Sequence, residues 1–318
     1  MCRFWVVLLF VAAFGGFGAG VAPAQNADLK EVISRANEQT LVYEKGFRDL
    51  LAKETKTFEI YGKGGDLKKR AVIESNFLVY QSPRDPGAVS EFRDVTRVDG
   101  KAITGRDRTP AEFFSQVEKA GSIEKELEKV QKESLRFDKT LEIEGLTLLP
   151  APVLADHIRP FFDFELVGTE TFEDRRVFVV AYRQTRKSPY ILINEKGAKF
   201  RELSLRFDLD LPGGVKKSDV VLSGRLWIDA ETFQLRREVR QLTAGTENPL
   251  LLLKTEFEYQ PSEYGIMVPK HITLTEFKTG KKDRENVSLK DTRVDFDYSQ
   301  FMKTNVEVKV LDDEQSEQ

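Results

Sequence analysis

The sequence predicts an α+β protein, a curled antiparallel β-meander whose apolar inner face is covered by N-terminal helices. Two observations carry this. Through the second half of the chain apolar and polar residues alternate with a period of two. The alternation is most regular in Leu203–Leu211, where five apolar residues hold the odd positions and four polar ones the even positions. Such alternation describes a strand with one buried and one wet face. In the first half the apolar spacing is three and four, and capping residues open the runs, which describes amphipathic helices.

The N-terminus reads as an export signal. Arg3 precedes an unbroken apolar run of 11 residues, Phe4–Phe14, and a Gly-rich stretch follows. Ala22-Pro23-Ala24 places small residues where a signal peptidase reads them, so cleavage is expected after Ala24. The expected organisation is a signal peptide over 1–24, one α+β domain over 25–311, and a disordered tail over 312–318. The domain divides into a helix-rich part (25–160) and a β-meander part (161–311). The apolar run is shorter than the roughly 20 residues that span a bilayer, with an uncleaved anchor as the alternative reading. No second run is long enough, so no transmembrane segment is expected after cleavage, and the protein is expected in the periplasm or outside the cell. Cys2 is the only cysteine. It precedes the apolar run, which gives no lipid anchor, and its loss leaves no disulfide, thiol nucleophile or Cys-based metal site. Charge is nearly balanced, with 49 basic and 52 acidic side chains, and losing Arg3 takes the net charge from −3 to −4. That argues against nucleic-acid binding.

Asp28 to about Leu51 reads as a helix, capped by Asp28 with Glu31 reaching back. Leu29, Ile33, Ala36, Thr40, Tyr43, Phe47 and Leu50 form its apolar stripe. Arg70–Tyr80 and Glu91–Val98 read as strands, separated by a turn at Ser82–Gly87. Asp99-Gly100 is a hairpin dipeptide suited to a type I′ turn. Thr109, Pro110 and Glu112 form a capping box for a second helix. Ile123, Leu127, Val130, Ser134 and Phe137 mark one side of a third, highly charged helix, whose other sides read as a solvated face. From about Phe162 at least seven successive strands joined by short turns are expected, the Leu203–Leu211 segment among them, with further turns at Tyr264-Gly265 and Thr279-Gly280. A meander of this length must close, curl or pack on helices to hide its inner face.

Catalytic apparatus is not apparent. His157 and His271 are the two histidines and sit in no ligand spacing. No H-E-x-x-H, G-x-S-x-G or phosphate-binding glycine loop occurs. No enzyme activity, cofactor or metal is therefore expected, although carboxylates alone could bind calcium or magnesium. Arg93-Asp94 and Arg106-Asp107-Arg108 flank the Asp99-Gly100 turn. Their plain reading is a salt-bridged hairpin base, and the alternative is bidentate binding of a carboxylate or phosphate.

Two stretches carry a resemblance. Gly224–Glu238, followed by Phe257-Glu258-Tyr259 and the Gly265 to Pro269 entry, is similar to the periplasmic lipoprotein-carrier (LolA/LolB-like) superfamily, over about Leu222–Tyr298. Phe92–Gly100 and Glu133–Phe137 resemble an uncharacterised family of secreted bacterial proteins, which implies no activity. The carrier resemblance implies an incomplete β-barrel covered by helices, with an apolar cavity that holds acyl chains and does no chemistry. This chain is longer than such a barrel and has two extra charged helices. The expected function is then non-catalytic binding of a lipid, acyl chain or lipoprotein in the envelope. The groove would draw on Leu203, Leu205, Phe207, Leu209, Leu226, Ile228, Leu251, Leu253 and Phe257. The alternative is an envelope structural or protein-interaction module whose core is filled, and a carboxylate-dependent hydrolase comes last.

Overall fold

The computed structural model describes residues 28–81, 89–137, 147, 150–195, 204–245, 249–282 and 285–304. In chain order, helix α1 (Leu29–Gly46) leads into strands β1 (Leu50–Tyr61), β2 (Leu67–Gln81), β3 (Val89–Val98) and the short β4 (Lys101–Ala102). Helices α2 (Pro110–Glu118) and α3 (Ile123–Ser134) follow, and then a segment with two short 3-10 turns, Pro152–Leu154 and Arg159–Phe161. The rest is β5 (Phe162–Phe172), β6 (Arg175–Gln184), the three-residue β7 (Ile191–Ile193) and β8 (Leu205–Phe207), then β9 (Val220–Asp229), β10 (Leu235–Ala244), β11 (Leu250–Pro261), β12 (Met267–Lys282) and β13 (Glu285–Lys303). The signal-peptide region, Leu203, the 82–87 turn and the 312–318 tail lie outside the described residues.

Eleven strands form one antiparallel sheet in the order β4-β3-β2-β1-β13-β12-β11-β10-β9-β6-β5. The sheet is curled and does not close, since β4 and β5 are its two ends. β1 and β13, from opposite ends of the chain, pair at its middle with Glu54 opposite Tyr298. The first-half strands therefore extend the same sheet as the C-terminal meander.

Alternation along the strands sorts side chains onto two faces. Leu50, Ala52, Phe77 and Val79 join a large inner cluster with Leu226, Ile228, Phe257, Val294 and Phe296. Their neighbours Leu51, Leu78 and Tyr80 point the other way and cluster with Phe113, Phe114 and Val117 of α2 and Leu127 and Val130 of α3. Helix α1 contributes Val32, Ile33, Ala36, Tyr43 and Phe47 to the inner cluster. So α1 and the α2–α3 pair pack on opposite faces. Burying each large apolar side chain is worth roughly 1.5–3 kcal/mol.

Several local expectations hold. Asp28 caps α1, accepting from the Lys30 N–H. Thr109 and Glu112 form the capping box of α2. Asp99 and Gly100 take φ of 48° and 75°, as a type I′ turn requires. Others differ. Helix α1 ends at Gly46 rather than Leu51 because the chain turns there. A Cβ on Gly46 would lie 2.9 Å from Ile266 Cγ2, and Asp49 adopts φ 59° to start β1. Thr279-Gly280 is not a turn: Gly280 stays in β12 opposite Val287, and the hairpin reverses beyond it. Leu203–Leu211 is not a strand of the meander. Only Leu205–Phe207 is extended, and it pairs in parallel with β7 outside the main sheet.

Candidate apolar binding site

The inner face is apolar across β1, β2, β6 and β9 to β13, and segments that pair with no strand of the main sheet pack against it. These are α1, the 150–161 segment, and the β7–β8 region, from which Leu205 is buried and Phe207, Leu209 and Leu211 are partly buried against the core. A small cavity remains at the C-terminal end of α1, about 20 Å³ in volume, between Thr40, Val42 and Tyr43 of the helix and Leu235, Tyr259 and Ile266 of the sheet. That is room for about one water molecule. Leu41 and Val42 are 49 % and 47 % exposed on the same stretch of α1. The Tyr43 ring stacks on Phe47 at 4.8 Å and meets Tyr259 edge-on at 6.2 Å.

Of the nine groove residues read from the sequence, Leu226, Ile228, Leu253 and Phe257 sit buried on the inner face. Leu205, Phe207 and Leu209 reach the same core from outside the main sheet. Leu251 pairs with Thr243 beyond a register shift that separates it from Leu253, and Leu252 is the residue that enters the cluster there. An extra residue in one strand reverses the facing of everything beyond it. Leu203 lies outside the described residues. None of the eight described residues lines the cavity at α1.

Two charged groups interrupt the inner face. On β10, Glu238 is fully buried and its carboxylate accepts from Arg240 Nε at 3.0 Å and Nη2 at 2.9 Å, from Tyr182 Oη at 2.9 Å and from the Ala151 N–H at 3.1 Å. The Arg240 guanidinium lies 4.8 Å over Phe257. On β3, Arg93 donates from Nε to both Glu54 oxygens at 2.8 and 3.0 Å and from both Nη atoms to Glu91 at 3.2 Å. It lies 5.1 Å over Phe77. The other Glu91 oxygen accepts from the Thr147 N–H at 2.9 Å and from the Thr147 hydroxyl. Burial works against both arginine charges, but the facing carboxylates outweigh it and hold each guanidinium above its usual range. Burial pushes the Tyr43, Tyr182 and Tyr259 hydroxyls up, so they stay protonated donors.

The Arg-Asp cluster around the Asp99-Gly100 turn divides by face. Arg93 points inward, whereas Asp94 points outward and pairs with Arg108 at 2.8 Å and Arg106 at 3.4 Å. The outward half is an ion-paired hairpin base. A second, polar cavity of about 380 Å³ is bounded by Asp208, Asp210, Glu276, Lys278 and Asp291. Burial, followed by the charges of Asp291 and Asp210, raises the Glu276 pKa. The histidines lie apart: His157 meets Tyr190 edge-on at 4.7 Å, and His271 bonds Asp297 at 2.7 Å and Thr273 at 2.9 Å. Among the described residues no cluster of three His, Cys, Asp or Glu could hold a metal, and no helix is long and apolar enough to cross a membrane.

No family model and no curated protein matches the chain. Among solved structures, it is similar to a DUF1329 family protein from Desulfovibrio piger, with 10 % identity, 87 % of this chain and 93 % of that one covered and a TM-score of 0.38. A LolA superfamily protein from Nitrosomonas europaea gives 9 % identity, 87 % and 94 % coverage and a TM-score of 0.34. The Mycobacterium tuberculosis lipoprotein LppX gives 8 % identity, 86 % and 96 % coverage and a TM-score of 0.25. The likeness is weak, and any function must stand on the chain's own geometry.

Proposed function

We propose that the protein is an exported, non-catalytic envelope protein that binds the acyl chain of a lipid or lipoprotein between α1 and the inner face of the sheet. In this reading α1, the 150–161 segment and the β7–β8 region are a cover, and the sheet is the wall of an incomplete barrel. The observation that carries it is the cavity at the end of α1, apolar on the sheet side and rimmed by the exposed Leu41 and Val42. As it stands the cavity is far too small for a guest, so binding requires α1 to move aside. The inner face can receive an acyl chain once it does, because it presents Leu235, Phe257, Ile266 and Met267 side by side with the cavity.

The filled interior itself supports a second reading, an envelope interaction module with no guest. One experiment separates the two. Delipidated protein is titrated with cis-parinaric acid, and its melting temperature is followed with saturating probe. Saturable binding with a raised melting temperature supports carriage. Neither response at any probe concentration below micelle formation supports the filled module.

A further inference from the structure

Two inner-face strands carry the same device. Glu91-x-Arg93 on β3 and Glu238-x-Arg240 on β10 each place a buried carboxylate and a buried arginine on a face that is otherwise apolar. In both, the arginine lies over a phenylalanine and neutralises the carboxylate, and the carboxylate still accepts a main-chain N–H from a segment that crosses the inner face. Glu91 takes Thr147 at 2.9 Å and Glu238 takes Ala151 at 3.1 Å. The two captured amides are four residues apart in one stretch of chain. That stretch is tied in turn to α1, because the Tyr43 hydroxyl donates to the Thr147 carbonyl at 2.7 Å. Ala151 holds φ 43°, a conformation that a non-glycine residue keeps only when its surroundings impose it.

We infer that these two pairs are clasps that hold the 147–154 strap and α1 over the inner face as one closing unit, so that opening the clasps limits the rate at which a guest enters. The inference rests on the acyl-binding reading above and adds its gate. A buried ion pair contributes little net stability compared with apolar side chains of the same volume. What it supplies here is a polar contact that water can replace when the strap lifts, which a wholly apolar plug would not offer. The chain Glu91–Thr147–Tyr43 makes the strap and α1 leave together. Glu238–Ala151 fixes the strap at its other side, where Pro152, Val153 and Leu154 enter the core.

The test uses Tyr43→Phe and Thr147→Val, which remove a hydroxyl but keep the packing shape, with Tyr264→Phe as control. Tyr264 donates to the Phe301 carbonyl at 3.2 Å, away from the strap. Two readouts are taken on the full protein: hydrogen exchange of the Thr147 and Ala151 amides and of α1, and the stopped-flow rate of cis-parinaric acid uptake. Loss of one such hydrogen bond is expected to speed both by about fivefold in the two strap variants and neither in the control. Unchanged exchange in both strap variants overturns the clasps, whatever the probe does. Faster exchange with an unchanged uptake rate overturns the gating role. Faster exchange with no probe bound by any form overturns the acyl-binding reading instead, and the gate with it.

Discussion

If α1 must leave the sheet for a guest to enter, a covalent link between them stops entry without touching the inner face. Gly46 and Ile266 offer the place for it. A Cβ built on Gly46 would lie 2.9 Å from Ile266 Cγ2, close to the about 3 Å that separates a Cβ from the far sulfur across a disulfide. The pair Gly46→Cys and Ile266→Cys therefore meets the geometric requirement at the point where α1 touches the entry to β12. The crosslink closes a loop of 220 residues, which restricts the unfolded chain by about 5 kcal/mol on the loop-entropy model. Even a fifth of that acting on the local opening of α1 slows it by about fivefold. The assay is cis-parinaric acid uptake by stopped flow, on oxidised and then dithiothreitol-reduced samples of the same preparation. Oxidised protein should load at least about fivefold more slowly and recover on reduction. Equal rates in the two states, with the disulfide verified by mass, would refute the idea that α1 moves.

Other outcomes follow from the same contacts. Gly224→Ala puts a Cβ 2.4 Å from Tyr182 Oη and 2.1 Å from the Val239 carbonyl oxygen. Overpacking of this kind costs about 1–3 kcal/mol, read as a melting temperature lowered by about 2–4 °C for each kcal/mol. Arg240→Met leaves Glu238 buried without its counter-charge and should cost about 3–5 kcal/mol in urea unfolding, most of it regained in the Glu238→Gln/Arg240→Met double variant. For Glu276 the folded-state pKa is raised above 4.5 by burial and by Asp291 and Asp210. Its charge therefore destabilises the fold above that raised pKa, and the penalty fades as pH falls through it and is gone below 4.5. Glu276→Gln should raise the melting temperature at pH 7 and have no effect at pH 4. An equal effect at both pH values would rule out the charge as the cause.

The elements that sequence reasoning located were those whose signal is local. Thr109 with Glu112 makes a capping box from four residues, and Asp99-Gly100 makes a turn from two. The β9–β11 run was legible because Leu222, Leu226 and Ile228, and Leu253 and Phe257, alternate without interruption. β1 was not legible. Leu50 continues the stripe of α1, and Glu54 and Lys56 read as solvated although both are buried. Their burial depends on Arg93 and on β13, 39 residues and more than 200 residues away in the chain. The Leu203–Leu211 alternation was clear and still misleading. Period two reports facing, not partner, and β8 found β7 rather than the meander. The clasps left a trace that could have been read: Glu238 and Arg240 share parity with the apolar Leu242 and Ala244, so charge sits where the pattern asks for core. The register shift that turns Leu251 away from the core has no signature in the sequence.

The central claim is that the curled sheet admits an acyl chain by releasing α1. Hydrogen exchange of delipidated protein, with and without saturating cis-parinaric acid, tests it most directly. The account predicts faster exchange in α1 and at Ala151 when the probe is bound, with β9 to β13 unchanged or better protected. Bound probe that leaves the exchange of α1 and Ala151 unaltered would contradict it.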